Sequence, residues 1–246
     1  MSAYSIEWIH LSLIAVPLAV VIFLYIRWVS DAKTLMYATA RMLGQLLLVG
    51  YVLKFLFESG NAWISSGVLG FMIAVAAWIA LRPLPGKRKT LYLRTLLALV
   101  LGGVPVLMLV VLGVVRLSPW YMPRYLIPLA GMIFANGMNS ISLCAERLCA
   151  ELRYGSDFQK ARAAAYRAGL LPLTNSFFAV GLVSIPGMMT GQILSGVSPL
   201  LAVRYQIMVM CMLMGGCGIS SALFLYFVKQ DAQRQVSDEI SAGCEE

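Results

Sequence analysis

Long apolar segments, separated by short polar connections, dominate the chain. A helix needs about 20 mainly apolar residues to cross the hydrocarbon core of a bilayer. Seven segments approach or exceed that length, so the pattern predicts an all-α, polytopic membrane bundle of about seven transmembrane helices. The predicted spans are 9–29, 35–57, 63–81, 95–115, 126–145, 171–196 and 206–228. No polar segment is long enough to fold alone, so residues 1–246 are expected to form a single transmembrane domain.

Two regions depart from this regular pattern. Pro186 and Gly187 interrupt the sixth predicted span. The connection over 145–170 is much longer than the other loops, and its sequence is helix-prone and amphipathic. Such a segment can lie on the lipid headgroups, or it can fit as a helix into the groove of a cytosolic partner. The pattern alone leaves both uses open.

The composition excludes a soluble protein. Hydrophobic residues make up 60% of the chain and charged residues only 12%, whereas a soluble domain carries about 25% charged residues. Fourteen of the 19 basic residues fall in connections on one side of the predicted spans, and three fall on the other side. The positive-inside rule then predicts a multi-pass protein of the inner (plasma) membrane, N-out and C-in. Its surroundings are expected to be lipid, with no nucleic acid.

The sequence lacks the residues that would let the chain power transport or catalyse a reaction by itself. None of the eleven acidic residues lies in the middle of a predicted span, although ion-driven transporters commonly use buried carboxylates. Gly86 and Lys87 resemble the end of a phosphate-binding loop, but Leu81 stands where its first glycine belongs. We therefore expect a transport subunit that is not an enzyme and binds no cofactor, with any ATP hydrolysis in a separate subunit.

Polar residues within the predicted spans are candidates for a translocation pathway. Arg41 and Gln45 are four residues apart and share one helix face. Asn136 and Asn139 lie on one face of the fifth span. Each pair also has a simpler interpretation, because Arg41 could extend to the headgroups and the two amides could join packed helices.

The break in the sixth span is a further candidate for the pathway. Pro186 and Gly187 would free backbone carbonyls, and freed carbonyls often line substrate sites, although the break could instead be a hinge. Met188 and Met189 add thioethers of the kind that bind Cu(I), but methionine more often fills apolar gaps. The pattern therefore leaves the metal ligands undefined.

Three segments of the chain resemble the FetB-type ABC transporter permease family. They are GYVLKFLF at 50–57, IPLAGMIFANGM at 127–138 and VGLVSIPGMMTGQILSGVSPLLAVRYQIMV at 180–209. The resemblance extends from the second to the seventh span. It implies a homodimeric permease that exports a metal ion, which is iron in bacterial members, while plant relatives are linked to aluminium tolerance. It also implies a separate P-loop ABC ATPase subunit, which would bind ATP and Mg²⁺.

The resemblance assigns a coupling role to part of the 145–170 connection. Glu151, Gly155, Gln159 and Ala161 match the E-x-x-x-G element of ABC permease coupling loops. In such a loop the glycine lets the chain turn between two short helices, one of which docks into the ATPase.

The chain departs from the family pattern just before the 180–209 segment. Asn175 and Phe178 stand where members usually have an acid and a base. We place Asn175 on the candidate pathway because of this correspondence. An ATP-independent membrane channel or carrier for a small solute is the alternative function.

Overall fold

The computed structural model describes residues 7–29 and 32–232, and these residues form helices joined by short turns. No β-strand occurs within these two ranges. The helices are α1 (Trp8–Leu11), α2 (Ala15–Val29), α3 (Ala32–Ser59), α4 (Ala62–Ala80), α5 (Arg88–Met108), α6 (Pro123–Arg153), α7 (Phe158–Ala179), α8 (Gly187–Leu194) and α9 (Pro199–Ala232). A 3₁₀ turn (Ser12–Ile14) joins α1 to α2, and a π-helical segment (Leu109–Val114) extends α5.

The chain divides into two compact units, Met1–Ser59 and Gly60–Glu246. In the described part of the first unit, α2 and α3 pack against each other. The second unit contains α4 to α9, and its centre is α6, which contacts α4, α5, α7 and α9. The expectation of a single transmembrane domain over 1–246 stays a prediction.

The predicted polytopic helical bundle is confirmed. Six helical segments of the described chain are long and apolar enough to cross a membrane. These segments are Ser12–Val29, Lys33–Phe57, Ala62–Ala80, Arg88–Val114, Pro123–Arg153 and Pro199–Lys229. They correspond to the predicted spans one to five and seven.

The predicted sixth span over 171–196 is interrupted, as Pro186 and Gly187 indicated, but the interruption is longer than expected. Its first part belongs to α7, which begins at Phe158, and its last part is the separate eight-residue helix α8. The break also begins earlier than Pro186, because α7 ends at Ala179. A positive φ of 83° at Gly181 turns the chain there, and such a conformation is accessible mainly to glycine.

The 145–170 connection is also different from the predicted loop. Helix α6 continues to Arg153 and α7 starts at Phe158, so only residues 154–157 are non-helical. The predicted loop limits were placed where the apolar side chains end, but the backbone hydrogen bonds of both helices continue into the polar sequence beyond those limits. The connection is therefore the tip of a hairpin formed by two long helices.

Small residues let the helices of the second unit approach closely. A Cβ atom at Gly102 of α5 would lie 2.7 Å from the Cα atom of Ser220 on α9. A Cβ atom at Gly103 would lie 2.8 Å from the ring of Phe134 on α6. Because lipid gives helices little hydrophobic reason to associate, such close van der Waals packing supplies much of the association energy.

A buried polar cluster joins α6, α7 and α9. The Ser140 hydroxyl donates a 2.9 Å hydrogen bond to the carbonyl of Gly169. It lies 2.8 Å from the Ser221 hydroxyl, which must be the donor of that pair because the single Ser140 proton is already used. All three residues are buried, so these bonds satisfy groups that neither lipid nor water can reach.

We predict that Gly102→Ala destabilises the second unit. The added methyl group would overlap the α9 backbone at Ser220, and overpacking of this kind costs about 1–3 kcal/mol. Thermal unfolding of the purified protein in detergent should show a lower midpoint. The matched control is Gly70→Ala in α4, where no atom lies within 4 Å of the new methyl group. Equal midpoints for the two variants would contradict the close α5–α9 contact.

Candidate functional site

The turn between α6 and α7 is closed by a Schellman motif. The amide of Ser156 donates to the carbonyl of Glu151 at 3.1 Å, and the amide of Gly155 donates to that of Leu152 at 3.0 Å. Gly155 has a φ of 78°, the left-handed conformation that this motif requires at the residue after the helix. The predicted turn at Gly155 is therefore present, but it joins two long helices instead of two short ones.

Side chains fix the same turn from both helices. The Glu151 carboxylate accepts hydrogen bonds from Arg147, one helical turn earlier, and from the Ser156 hydroxyl across the turn at 2.9 Å. On the other side, the Asp157 carboxylate caps α7 by accepting a 3.0 Å bond from the amide of Gln159. The tip is consequently held by hydrogen bonds at both helix ends.

The four candidate coupling residues face different surroundings. Gln159 and Gly155 are exposed, whereas Glu151 is mostly covered by its own partners and Ala161 is fully buried. Tyr154, at the tip, is also exposed, with 89% of the residue accessible. A partner could therefore touch Tyr154, Gly155 and Gln159, while Glu151 and Ala161 would hold the tip in place.

The break between α7 and α8 forms a compact turn over 180–186. The amide of Val183 donates to the carbonyl of Ala179 at 2.8 Å, and the amide of Gly181 donates to that of Ser184 at 3.0 Å. Pro186 then stands immediately before α8, and Gly187 is its first residue. Proline lacks an amide hydrogen and suits a helix start, where that hydrogen would have no partner within the helix.

Helix α8 separates two cavities in the second unit. The first, of about 350 Å³, lies between α7, α8 and α9 and is lined by Met189. The second, of about 240 Å³, lies between α6, α8 and α9 and is lined by Met188. The two methionines are adjacent in sequence but point to different sides of α8, so the structure does not bring them together at one site.

Two glutamines that the sequence analysis missed lie at these cavities. Gln206 lines the first cavity and Gln192 lines the second. The Oε1 atom of each is buried and accepts no hydrogen bond within the described chain. The signal in the sequence was a single carboxamide within an apolar helix, a pattern that is also typical of ordinary helix–helix contacts.

The remaining pathway candidates lie on the helices α3, α6 and α7. Asn136 is partly buried, and its amide donates to the carbonyl of Met132 in its own helix at 2.8 Å. Asn139 and Asn175 are exposed on α6 and α7. Arg41 and Gln45 are exposed on α3 in the first unit.

The described residues offer few ligands for a hard metal ion. No group of three or more His, Cys, Asp or Glu side chains comes together among them. The donors at the cavities are thioethers, carboxamides and hydroxyls, together with the thiol of Cys211. Such a set lacks the carboxylates that hard cations prefer.

Comparison with known proteins gives a consistent result. The model of the uncharacterised protein family UPF0014 matches residues 8–232. A UPF0014 membrane protein of Synechocystis, slr1647, is 39% identical over 73% of this chain and 75% of its own length. No solved structure matches the chain.

Two further relatives carry informative names. The probable iron export permease protein FetB of Escherichia coli is 32% identical over 79% of each chain. Protein ALUMINUM SENSITIVE 3 of Arabidopsis thaliana is 31% identical over 87% of this chain and 82% of its own length. These matches confirm the resemblance seen in the sequence.

We predict that Glu151→Ala loosens the α6–α7 tip. The change removes the hydrogen bonds from Arg147 and Ser156, which should cost about 1 kcal/mol and raise the population of opened tips about fivefold. Limited trypsin digestion should show faster cleavage after Arg153 by a similar factor. Glu146→Ala, an exposed position on the same helix, is the control and should digest like the unmodified protein. Equal rates for both variants would contradict the bracing role of Glu151.

Proposed function

We propose that this chain, which belongs to the uncharacterised protein family UPF0014, is the membrane permease subunit of an ABC transporter that exports a metal ion, with iron as the cargo. The name of the FetB relative supports the cargo and the direction of transport. The lack of a complete phosphate-binding loop in the sequence supports a separate ATPase subunit, which would bind the ATP and Mg²⁺. The membrane is proposed to be the inner (plasma) membrane.

The α6–α7 tip is the observation that carries the ATPase part of the proposal. It exposes an aromatic side chain, Tyr154, on a turn that is braced from both helices. Exposed tyrosines commonly anchor protein–protein contacts, because they bury a large area at low entropic cost. A rigid turn of this kind can dock into a groove without first having to become ordered.

The position of the tip explains how docking could move the bundle. Helix α6 contacts four other helices, and the Ser140 cluster ties it to α7 and α9. A displacement of the tip would therefore be passed to the helices that line both cavities. In the proposed orientation, N-out and C-in, the tip lies on the cytosolic side together with most of the basic residues.

A homodimer with two ATPase subunits is part of the same proposal. Many large apolar side chains of the second unit are exposed, including Phe71, Leu182 and Leu200. In a membrane these faces contact either lipid or a second copy of the chain. The resemblance to ABC permeases favours two copies, because two ATPase subunits act together in such transporters.

Transport in proteoliposomes tests the proposal. The chain and its ATPase would be reconstituted together, and ATP added outside should drive iron into vesicles in which the ATPase faces outward. We predict that Gly155→Asp lowers this transport about tenfold, which corresponds to about 1.4 kcal/mol. This lies within the roughly 1–3 kcal/mol expected for backbone strain at a positive φ, to which unfavourable charge at the docking tip would add. The folded fraction, measured by gel filtration, should stay unchanged.

Gly60→Asp is the matched control, because Gly60 also has a positive φ, of 52°, in an exposed turn. It should transport normally, since its turn lies on the predicted outer side. Normal transport by Gly155→Asp would contradict the coupling role of the tip. Iron transport that proceeds without any ATPase or ATP would favour the ATP-independent channel or carrier instead.

A further inference from the structure

We propose that the first cavity, between α7, α8 and α9, binds an uncharged, mainly apolar organic molecule that carries one hydroxyl or N–H donor. The hydrogen-bond acceptor for that donor is Oε1 of Gln206. This inference goes beyond the metal cargo and does not depend on the ATPase partner.

The size and lining of the cavity favour an organic molecule. Its volume of about 350 Å³ falls within the range of about 300–1,000 Å³ that small-molecule sites occupy. Its walls are apolar side chains from three helices, with Phe177 on α7, Met189 on α8 and Met210 on α9. An apolar pocket with one or two fixed polar groups is the usual design of such sites.

Gln206 supplies the polar group. The residue is only 6% exposed, and Oε1 accepts no hydrogen bond from the residues that the structure describes. It lies four residues before Met210 and therefore on the same face of α9, toward the cavity. A buried acceptor without a partner is costly, and a ligand with a donor removes that cost. A saturated lipid chain would fill the space but leave the acceptor unpaired, so the favoured occupant carries a donor.

The charge of the lining favours a neutral ligand. None of the side chains that line the cavity is acidic or basic. An ion in such surroundings would lose its hydration without gaining an opposite charge. The sulfur atoms of Met189, Met210 and Cys211 do not change this balance for a divalent or trivalent ion. The cavity is thus a different kind of site from one for a hard metal cargo.

The rim of the cavity gives such a ligand access. Gly181 and Ile185, in the turn between α7 and α8, line the cavity and are themselves exposed. Cys211 also lines the cavity with an exposed thiol, whereas Cys144 and Cys217 are buried. Cys211 can therefore report occupancy, because a ligand in the cavity would shield it from alkylation.

The test compares two probes of nearly equal shape, 4-propylphenol and 4-propylanisole, on the full-length chain in detergent. The phenol is uncharged at neutral pH and donates one hydrogen bond, whereas the methyl ether cannot donate. N-ethylmaleimide labelling of Cys211 would be followed by peptide mass spectrometry at increasing probe concentrations. We expect the phenol to protect Cys211 at about tenfold lower concentration than the ether, the effect of one buried hydrogen bond.

Three variants test the cavity and the partner of the donor. Gln206→Leu keeps the side-chain volume and should cancel the tenfold preference for the phenol, while the ether protects as before. Gln192→Leu changes the matching carboxamide of the second cavity and should leave the preference intact. Val203→Trp, at the wall of the first cavity, should weaken protection by both probes.

Three results would overturn the inference. The first is no protection of Cys211 by either probe up to its solubility limit. The second is equal protection by the phenol and the ether in the unmodified chain, which would indicate a hydrocarbon site without an acceptor. The third is a phenol preference that survives Gln206→Leu. None of these results depends on metal transport. If the ligand proposal is wrong, the proposed transport function is therefore still tested separately by the proteoliposome assay.

Discussion

Close helix packing through small residues is the constraint on which the second unit depends. Lipid leaves helices with only van der Waals contact and hydrogen bonding to hold them together. Gly102 lets α9 reach the backbone of α5, and Gly169 lets α7 approach the carbonyl of Ser140 on α6. The Ser140–Ser221 pair then forms in the space where three helices meet. A larger residue at 102 or 169 would overlap with the facing helix and push the two helices of that pair apart.

The same packing divides the second unit into parts that are tightly and loosely held. Helices α5, α6, α7 and α9 share the core, whereas α8 packs mainly against α9. Helix α8 also lies between two turns and beside two cavities. A movement that begins at the α6–α7 tip would be carried by the rigid core, and α8 is the element that could change position at least cost. Helix α7 connects the two proposed features, because it begins at the α6–α7 tip and its other end lines the first cavity.

The sequence was most informative where apolar length alone decides the structure. It predicted six of the spans because a helix in lipid must bury about 20 apolar residues. Over 171–196 it predicted a break but misplaced the helix limits, because α7 takes most of its length from the residues before 171 and because Gly181 turns the chain several residues before Pro186. An apolar pattern marks only where apolar side chains end, so it showed neither the continuation of α7 into polar sequence nor the turn at Gly181.

The candidate site was only partly predictable for similar reasons. The glycine at 155 signalled a turn, because few other residues adopt its conformation. The hydrogen-bond partners of Glu151 and the burial of Ala161 depend on how α6 and α7 pack against each other. The spacing of residues in a sequence motif carries no information about that packing. Gln206 and Gln192 look alike in sequence, but only the structure shows that both line cavities and that their Oε1 atoms accept no hydrogen bond within the described chain.

The most direct measurement is site-specific photo-crosslinking in native membranes. A photoreactive phenylalanine analogue would replace Tyr154 at the α6–α7 tip and, as a control, the exposed Trp120, which lies at the predicted outer side. The account predicts that position 154 crosslinks to a soluble P-loop ATPase and that position 120 does not. Equal crosslinking from both positions would contradict the account. ATP-driven transport by a protein whose position 154 forms no crosslink to an ATPase would also contradict it.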